Sequence, residues 1–442
     1  MNAGMAFAFA ASHPIVSGVR PLVFPATDMR AHCSAEVPRQ AQTVGGCGVR
    51  CLSALVWRMA TFKSAETADT TALCPESART VGLLGLKPSI TELLLEEIAE
   101  FLRGHGAPIY RAKQITDWLY QKRASSFEAM TDLPQDLRTL LATEFEFPQT
   151  EVVRVLGSKD TTQKFLFRLR DENLIESVLI PASPALYGER SDRRTICVSS
   201  QVGCAYGCKF CASGLDGWTR NLDAGEIVQQ LIAVEEKSGE KIDNVVFMGM
   251  GEPLANLKHL LRAIQIINAP WGLGIGARHI TVSTSGLAPQ IRELAADPTQ
   301  FRLALSLHGA TDEVRSQIMP VNRKYPLKVL LEACDYYVAK KRRMMFEYIL
   351  IADVNDTDEQ AHALAKIARR LSAKINLIPY NTVEGLEWSR PSRTRQERFH
   401  SILREHGVVA TLRREKGADI AAACGQLRLQ TKRAETELRL PA

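Results

Sequence analysis

Three cysteines near the middle of the chain have a spacing that suits metal binding. They are Cys204, Cys208 and Cys211, which follow the pattern C-x3-C-x2-C in a loop that also contains Gly203 and Gly207. Thiolates three and four residues apart can converge on one point. A closed structural zinc site normally takes four ligands, whereas three thiolates suit a four-iron cluster in which one iron stays open. The spacing therefore favours an iron–sulfur cluster. The alternatives are a zinc site that borrows a distant fourth ligand and three unrelated buried thiols.

The overall composition is that of a globular protein and bears on its compartment. The chain has 442 residues, of which 45% are hydrophobic and 24% charged, and a net charge of +6. No apolar run approaches the roughly 18–20 residues that a membrane span needs. Ten cysteines are too sparse for a disulfide-stapled secreted scaffold, and an iron–sulfur cluster needs reducing surroundings. We therefore expect a cytoplasmic protein without a membrane partner, whose mild positive charge permits a nucleic-acid partner.

Changes in composition and in the pattern of apolar residues predict five segments. Residues 1–82 scatter Gly, Ser, Thr and Pro and predict a weakly structured extension, either a targeting segment or sequence upstream of a true start nearer Met59. The other predicted segments are a helical domain (83–150), a small β element or linker (151–190), a catalytic domain (191–432) and a C-terminal tail (433–442). Chemistry is therefore expected in the fourth segment.

The helical domain is predicted from three amphipathic patterns. Ser89 and Glu92 match a capping box that opens the first helix, and the third helix is expected over 133–145. The second, over 110–123, carries basic and aromatic side chains: Tyr110, Arg111, Lys113, Trp118, Tyr120, Lys122 and Arg123. Near the C-terminus, a second basic run over 390–416 contains eight Lys or Arg side chains. The 110–123 helix is interpreted either as an amphipathic helix with a solvated face or as a surface that docks RNA. Together the two runs are expected to hold RNA through its phosphates.

Six apolar, β-branched runs alternate with helical patterns in the fourth segment. The predicted strands cover 195–201, 244–249, 279–285, 302–308, 345–350 and 374–379. Such alternation predicts a parallel sheet with helices outside it, with function at the carboxyl ends of the strands. The cysteine loop, the Gly251-Glu252-Pro253 turn and the polar residues of later strands all fall at those ends. We expect an α/β fold, an open six-stranded parallel (β/α) partial barrel preceded by the helical domain and the short β element.

One acidic residue stands out in the β element. Glu176 lies in the strand pattern LIESVLIP, among Ile175, Val178 and Ile180. Glutamate is seldom buried unless it is paired or functional. The commoner explanation of this pattern is an outward-facing residue on an edge strand.

The cysteine spacing resembles the signature of the radical S-adenosylmethionine (radical SAM) enzymes. In that class the open iron holds the amino and carboxylate groups of S-adenosylmethionine, and the Gly-Glu-Pro turn resembles the class's "GEP" element. The resemblance implies a [4Fe-4S] cluster held by the three cysteines, and a cofactor site formed by Gly251, Glu252, Ser283, Ser306, Leu307, His308 and Asn381. Among these, His308 is predicted to be a packed histidine without a catalytic role.

Six further stretches make the resemblance more specific. In chain order CVSSQVGC, MGMGEPL, TVSTSG, ALSLHG, INLIPYN and AACGQL closely resemble the bacterial 23S ribosomal RNA adenine C2-methyltransferases of the radical SAM class. The resemblance runs from about Leu83 to about Lys432. It implies methylation of C2 of an adenine in ribosomal RNA, and of one in the anticodon loop of transfer RNA, with two molecules of S-adenosylmethionine consumed.

The resemblance also implies three catalytic residues. Cys424, between small residues in an accessible setting, would carry the methyl group as S-methylcysteine and become linked to C2 through a carbon radical. Glu176 would remove the C2 proton, a role that suits a carboxylate among apolar neighbours. Cys197 would then attack the sulfur of Cys424, which releases the methylated base and leaves a disulfide.

Other functions remain open at this point. A relative that methylates C8 of the same adenine and confers antibiotic resistance shares both outer cysteines and the cluster motif. A radical SAM enzyme acting on a small molecule or peptide would leave Cys197, Cys424 and the basic run 390–416 unused. A non-enzymatic iron–sulfur or zinc protein that binds RNA would leave the strand-end residues unused. The expected partners are ribosomal and transfer RNA, an electron donor such as flavodoxin or ferredoxin, and a thiol reductant, with the protein as a monomer.

Overall fold

A computed structural model of the full-length chain describes residues 87–147, 150–182, 193–215, 217–341, 343–381 and 386–413. These residues all belong to one compact unit. Its α-helices are α1 (Leu95–Gly104), α2 (Arg111–Tyr120), α3 (Gln135–Glu144), α4 (Ala224–Ser238), α5 (Leu257–Asn268), α6 (Ala288–Leu294), α7 (Asp312–Ile318), α8 (Leu327–Lys341), α9 (Asp358–Arg370) and α10 (Arg393–Glu405). Its strands are β1 (Glu151–Gly157), β2 (Gln163–Arg168), β3 (Leu174–Pro181), β4 (Arg194–Cys197), β5 (Gln201–Gly203), β6 (Trp218–Asn221), β7 (Asn244–Phe247), β8 (Ile280–Thr284), β9 (Arg302–Ser306), β10 (Met344–Leu350), β11 (Lys374–Pro379) and β12 (Ala410–Leu412).

The predicted open parallel sheet is confirmed. Within the described part of the chain, ten strands form one sheet in the order β1-β2-β3-β4-β7-β8-β9-β10-β11-β12. All pairings from β4 to β12 are parallel, and helices connect successive parallel strands as a βα series requires. All six predicted strands are present, and β12 is a seventh parallel strand that was not predicted.

The β element is continuous with this sheet. Its strands β1, β2 and β3 form an antiparallel meander, and β3 pairs antiparallel with β4. The predicted edge position of Glu176 is wrong, because β3 lies between β2 and β4 and the residue is only 2% exposed. The edge strand of the element is β1 instead.

The helical domain packs on the outside of the sheet. The predicted capping box at Ser89 is wrong: the Ser89 hydroxyl lies 3.0 Å from that of Thr91, residues Ile90–Glu92 form a short 3-10 helix, and α1 begins only at Leu95. Leu94 is the residue immediately before α1. Its backbone N–H donates to the Glu97 carboxylate over 2.8 Å. One hydrophobic core runs from this domain through α4 and α5 to the outer face of the sheet, so the helical domain is held by burial.

Candidate active site

The cysteine loop is the connection of a small hairpin at the carboxyl end of β4. Strands β5 and β6 pair antiparallel on either side of it, and the Cys204 N–H donates to the Gly217 carbonyl over 2.8 Å. Gly203 has φ +75°, and a Cβ there would lie 2.0 Å from the Gly217 oxygen. Only glycine therefore allows the hairpin to close at this point.

The three thiols lie near enough to one another to interact electrostatically. Burial raises the pKa of Cys204 to about 12, with a further contribution from Cys211, and burial together with the other two thiols raises that of Cys208 well above its usual value. Without metal Cys204 and Cys208 are therefore thiols, and metal binding must displace their protons. Such a donor set fits a group that stabilises thiolates strongly.

The number of thiols, three, suits a four-iron cluster with one open iron better than a closed zinc site. Among the described residues, no three His, Cys, Asp or Glu side chains are grouped to hold a single metal ion. A zinc ion needs each sulfur at about 2.3 Å from one centre, whereas the thiolates of a four-iron cluster bind different irons and so lie further apart. The zinc interpretation therefore finds no support in the described residues.

The Gly-Glu-Pro turn ties two strand ends together. Gly251 has φ +99°, and a Cβ there would lie 2.6 Å from the side chain of Gln201. The Glu252 carboxylate is buried and accepts from the N–H groups of Ser285 (2.7 Å) and Leu254 (3.1 Å). Burial raises the pKa of Glu252, and these hydrogen bonds oppose that rise. The carboxylate is thus fixed beside the thiols Cys204 and Cys208, whose pKa values it helps to raise.

Three predicted cofactor residues present polar atoms at the ends of β8, β9 and β11. The hydroxyls of Ser283 and Ser306 lie 3.3 Å apart on paired strands. The Oδ1 atom of Asn381 is buried and has no hydrogen-bond partner among the described residues. A buried amide oxygen without a partner is costly, so this atom fits a ligand that donates a hydrogen bond.

His308 is a packed histidine, as predicted. Its Nδ1 accepts from the N–H of Ile349 over 3.1 Å, and its ring meets Phe210 of the cysteine loop edge-to-face at 4.8 Å. Burial, aided by Arg315, lowers the pKa of His308 to about 3. The ring is therefore neutral, and it positions the loop. The N–H and C=O groups of neighbouring Leu307 already bond Glu347 and Arg315.

Glu176 and Cys197 lie on the same face of the sheet. Val178, two residues from Glu176 on β3, pairs directly with Cys197 on β4, and directly paired residues share a face. The opposite face packs on α4, where the Ser177 hydroxyl donates to Gln230 over 2.8 Å. Both predicted catalytic residues therefore point away from the helices, beside the strand end where the cysteine loop begins.

Lys164 is a site residue that the sequence did not reveal. It lies on β2, where it pairs directly with Val178, and its Nζ lies 2.8 Å from Oε2 of Glu176. The lysine is 0% exposed and the glutamate 2%. Its position on the same face of the predicted hairpin as Glu176 was the available signal.

A buried network of polar side chains was also missed. The Gln201 Oε1 accepts from the Glu252 N–H over 2.8 Å, and the Ser199 hydroxyl donates to the Glu176 carbonyl over 2.6 Å. Gln230 holds both backbone groups of Ser199, and Asn256 donates to the carbonyl of Ser200. Together they fix the start of the cysteine loop against the Gly-Glu-Pro turn. Their partners are 20 or more residues away, so no local pattern identifies them.

The two predicted RNA-docking surfaces are partly used within the protein. On α2 and its C-terminal turn, Tyr120 is in the core, Arg123 pairs with Glu235, and Lys122 stacks 3.7 Å over Trp118. Tyr110 is 63% exposed. In the second run, Arg395 and Arg398 both pair with Asp358 of α9. Residues 414–416 of this run, like Cys424, residues 1–82 and the tail 433–442, lie outside the described residues.

Comparison with known proteins agrees with this arrangement. The radical SAM superfamily matches residues 198–365, and the ribosomal RNA large subunit methyltransferase N-terminal domain matches residues 89–147. The "Probable dual-specificity RNA methyltransferase RlmN" of Akkermansia muciniphila is 53% identical over 344 residues, covering 78% of this chain and 96% of that protein. This chain belongs to the RlmN family. The protein of the same name from Acholeplasma laidlawii is 45% identical over 342 residues, covering 77% of this chain and 99% of that protein.

A solved structure of a similar enzyme supports the fold. A radical SAM methyltransferase from Sphaerobacter thermophilus is 46% identical and superposes with a TM-score of 0.72, covering 77% of this chain and 98% of that one. The chain is thus a radical SAM RNA methyltransferase, and the family implies a [4Fe-4S] cluster and S-adenosylmethionine. In the described ranges, no helix has the length and apolar character to cross a bilayer.

Proposed function

We propose that this RlmN-family enzyme methylates C2 of an adenine in 23S ribosomal RNA and of one in the transfer RNA anticodon loop. Cys424 would carry the methyl group, two molecules of S-adenosylmethionine would be consumed, and Cys204, Cys208 and Cys211 would be the cluster ligands. The dual-specificity name of its relatives supports the two RNA substrates. An electron donor such as flavodoxin or ferredoxin and a thiol reductant would complete the reaction.

The observation that carries this proposal is the common face of Glu176 and Cys197. A base and a second cysteine, one strand apart and beside the cysteine loop, are what a covalent enzyme–RNA adduct requires for its resolution. An ordinary radical SAM reaction on a small molecule needs neither residue.

The chain's own residues supply the acid–base and sulfur chemistry. The bound cluster and S-adenosylmethionine provide the radical chemistry that an electron-poor C2 carbon demands. Lys164 lies 2.8 Å from the Glu176 carboxylate and would orient it to accept the C2 proton. Cys197 would then attack the sulfur of Cys424. The carbon–sulfur bond breaks, its electron pair stays with the methylene carbon, which takes up a proton to become the methyl group on C2, and a disulfide forms. The external thiol reductant restores both cysteines.

Residues around the cofactor would position it without reacting. Glu252 and the Ser283–Ser306 pair offer polar atoms at neighbouring strand ends. Asn381 offers the unpartnered amide oxygen. Gly251 lets the backbone pass close to Gln201, so no side chain fills the space above the loop.

The test compares two cysteine variants expressed with RNA. Cys197→Ala should accumulate enzyme covalently bound to RNA, because the thiol that breaks the link is absent. Cys424→Ala should form no adduct, because it cannot carry the methyl group. Denaturing electrophoresis before and after ribonuclease treatment detects the link, and mass spectrometry detects methyl on Cys424. Cys334→Ala, in the buried face of α8, is the matched control and should behave as wild type.

Two results would contradict the proposal. An unshifted Cys197→Ala band with unmethylated Cys424 would exclude the mechanism. Methyladenosine identified in the RNA product as the C8 isomer would assign the C8 reaction, and product in neither RNA would leave a small molecule or peptide as substrate.

A further inference from the structure

Arg315 of α7 is buried, with 0% of its surface exposed. Its Nη2 donates to the Ser285 carbonyl over 2.6 Å and its Nε to the Leu307 carbonyl over 3.1 Å. Its Nη1 donates to Oδ1 of Asn322 over 2.8 Å. The guanidinium thus joins the ends of β8 and β9, and all three acceptors are neutral.

The site around Arg315 is built to admit this side chain. A Cβ at Gly309 would lie 2.6 Å from the Arg315 Cα, which leaves no room for any other residue. At Gly286, where φ is +109°, a Cβ would lie 3.0 Å from Nη2. Gly309 therefore lets the α7 backbone approach closely, and Gly286 leaves space for the Arg315 guanidinium.

The charge of Arg315 is not neutralised by a direct partner. In the part of the chain that the structure describes, the Arg315 guanidinium donates to two backbone carbonyls and an amide oxygen and to no carboxylate. The nearest acid, Asp312, is reached only through Asn322, whose Nδ2 donates to the Asp312 carboxylate over 2.8 Å. Burying an unpaired charge is costly, so an additional anion is expected close by when the enzyme is active.

The cysteine loop brings such an anion to Arg315. The Lys209 N–H donates to the carbonyl of Ile318, one turn further along α7, over 3.0 Å. Cys208, the preceding residue, lies within electrostatic range of Arg315, so its thiolate would attract the guanidinium once it is a cluster ligand. A four-iron cluster with three thiolate ligands has a net negative charge, and one-electron reduction increases it.

We propose that Arg315 is the fixed counter-charge of the cluster, which retains the cluster in its loop and favours its reduced form. The inference rests on the cluster assignment of the proposed function. It makes Arg315 a positioning and charge-compensating residue for the electron-transfer step, since it would act through the cluster and the strand ends.

The experiment uses full-length protein reconstituted with iron and sulfide, without S-adenosylmethionine. Arg315→Gln removes the charge but keeps a hydrogen-bond donor, Arg315→Met removes both, and Arg315→Lys keeps the charge. Redox titration followed by the electron-paramagnetic signal of the reduced cluster gives the potential. Bound iron and the unfolding of the cluster-free proteins are measured in parallel.

Both neutral variants should be harder to reduce. At a fixed applied potential their ratio of reduced to oxidised cluster should fall roughly tenfold, the effect of a unit charge about 10 Å away at an effective dielectric constant near 20. Arg315→Lys should restore most of this ratio. The cluster-free neutral variants should remain folded, because the uncompensated cation is then no longer buried.

An unchanged potential in Arg315→Gln and Arg315→Met would overturn the inference, and so would loss of the cluster-free fold in both, which would assign Arg315 to structure. If wild type methylates RNA but the cluster in Arg315→Gln and Arg315→Met has the same reduction potential as in wild type, only the Arg315 inference fails. If Cys204→Ala retains a full cluster, the cluster assignment of the proposed function fails with it.

Discussion

Lys164 and Arg315 are both fully buried cations, yet they are compensated in different ways. Lys164, in the antiparallel part of the sheet, lies 2.8 Å from the carboxylate of Glu176. Arg315, beside the parallel part, donates only to two carbonyls and an amide. The antiparallel part of the sheet therefore contains the counter-ion of its buried cation. The parallel part instead presents the Arg315 cation to the loop that carries the three thiols.

This difference indicates that the Glu176 region is formed without a ligand, whereas the stability of the Arg315 region depends on one. A buried ion pair neutralises itself, so the Glu176 region is complete as soon as β2 and β3 pair. A buried guanidinium without a carboxylate is stabilised only when an anion arrives. We therefore expect the face that carries Glu176 and Cys197 to tolerate loss of the cluster, and the Arg315 region to be most stable in the loaded enzyme.

The largest effect is expected from removing one member of the ion pair. Lys164→Met leaves the Glu176 carboxylate buried without its partner, and breaking a buried pair in this way costs about 3–5 kcal/mol. The free energy of unfolding, measured by denaturant titration, should fall by that amount, and RNA methylation should be lost.

A double variant tests whether the pair serves stability or chemistry. Lys164→Met combined with Glu176→Leu removes both charges and should recover stability to within about 1 kcal/mol of wild type. Methylation should remain absent, because the base is gone. Recovery of activity in the double variant would show that Glu176 is not the base.

A smaller effect is expected from two glycines of the cysteine loop. Both have positive φ, +75° at Gly203 and +58° at Gly207, so alanine at either position costs about 1–2 kcal/mol of backbone strain. The two positions differ in the room available for a side chain. A Cβ at Gly203 would lie 2.0 Å from the Gly217 oxygen, whereas a Cβ at Gly207 would have no atom within 4 Å. Gly203→Ala should therefore lose most of its bound iron and Gly207→Ala should keep it. Equal iron content would contradict this account of the hairpin.

Local patterns were enough to predict the parallel sheet and the thiol loop. Strand alternation and the C-x3-C-x2-C spacing are each read from a few consecutive residues. The strand β12 was missed because it has only three residues. The failure at Ser89 has a local cause as well, since its hydroxyl bonds the Thr91 hydroxyl in place of a backbone N–H.

The residues that surround the site could not be predicted in this way. Whether Glu176 is buried depends on β4 pairing with β3, a contact between segments that the local pattern does not join. Arg315 has acceptors 8 and 30 residues away in sequence, on two different strands. An arginine in a polar helix such as DEVRSQI is usually exposed, so only tertiary structure identifies the exception.

A pH-dependent effect is expected at a carboxyl pair that contrasts with Glu176. Glu92, in the helical domain, faces another acid, Asp223, the N-cap of α4. Burial, and then the charge and hydrogen bond of Asp223, raise the pKa of Glu92 to about 8, while Arg170 and Arg262 partly oppose the rise. A carboxyl group whose pKa is raised by folding stabilises the folded state fully only below its unfolded value, near 4.5.

That contribution is lost as the pH rises from about 4.5 through about 8. The free energy of unfolding of cluster-free wild type should therefore decline over this range, relative to Glu92→Gln, which cannot ionise. The difference in the free energy of unfolding between wild type and Glu92→Gln should increase as the pH rises and become constant above pH 8. Denaturant titration at each pH measures it. Glu96→Gln, an exposed acid on α1, is the matched control and should follow wild type. Parallel curves for wild type and Glu92→Gln would mean that folding does not raise the pKa of Glu92.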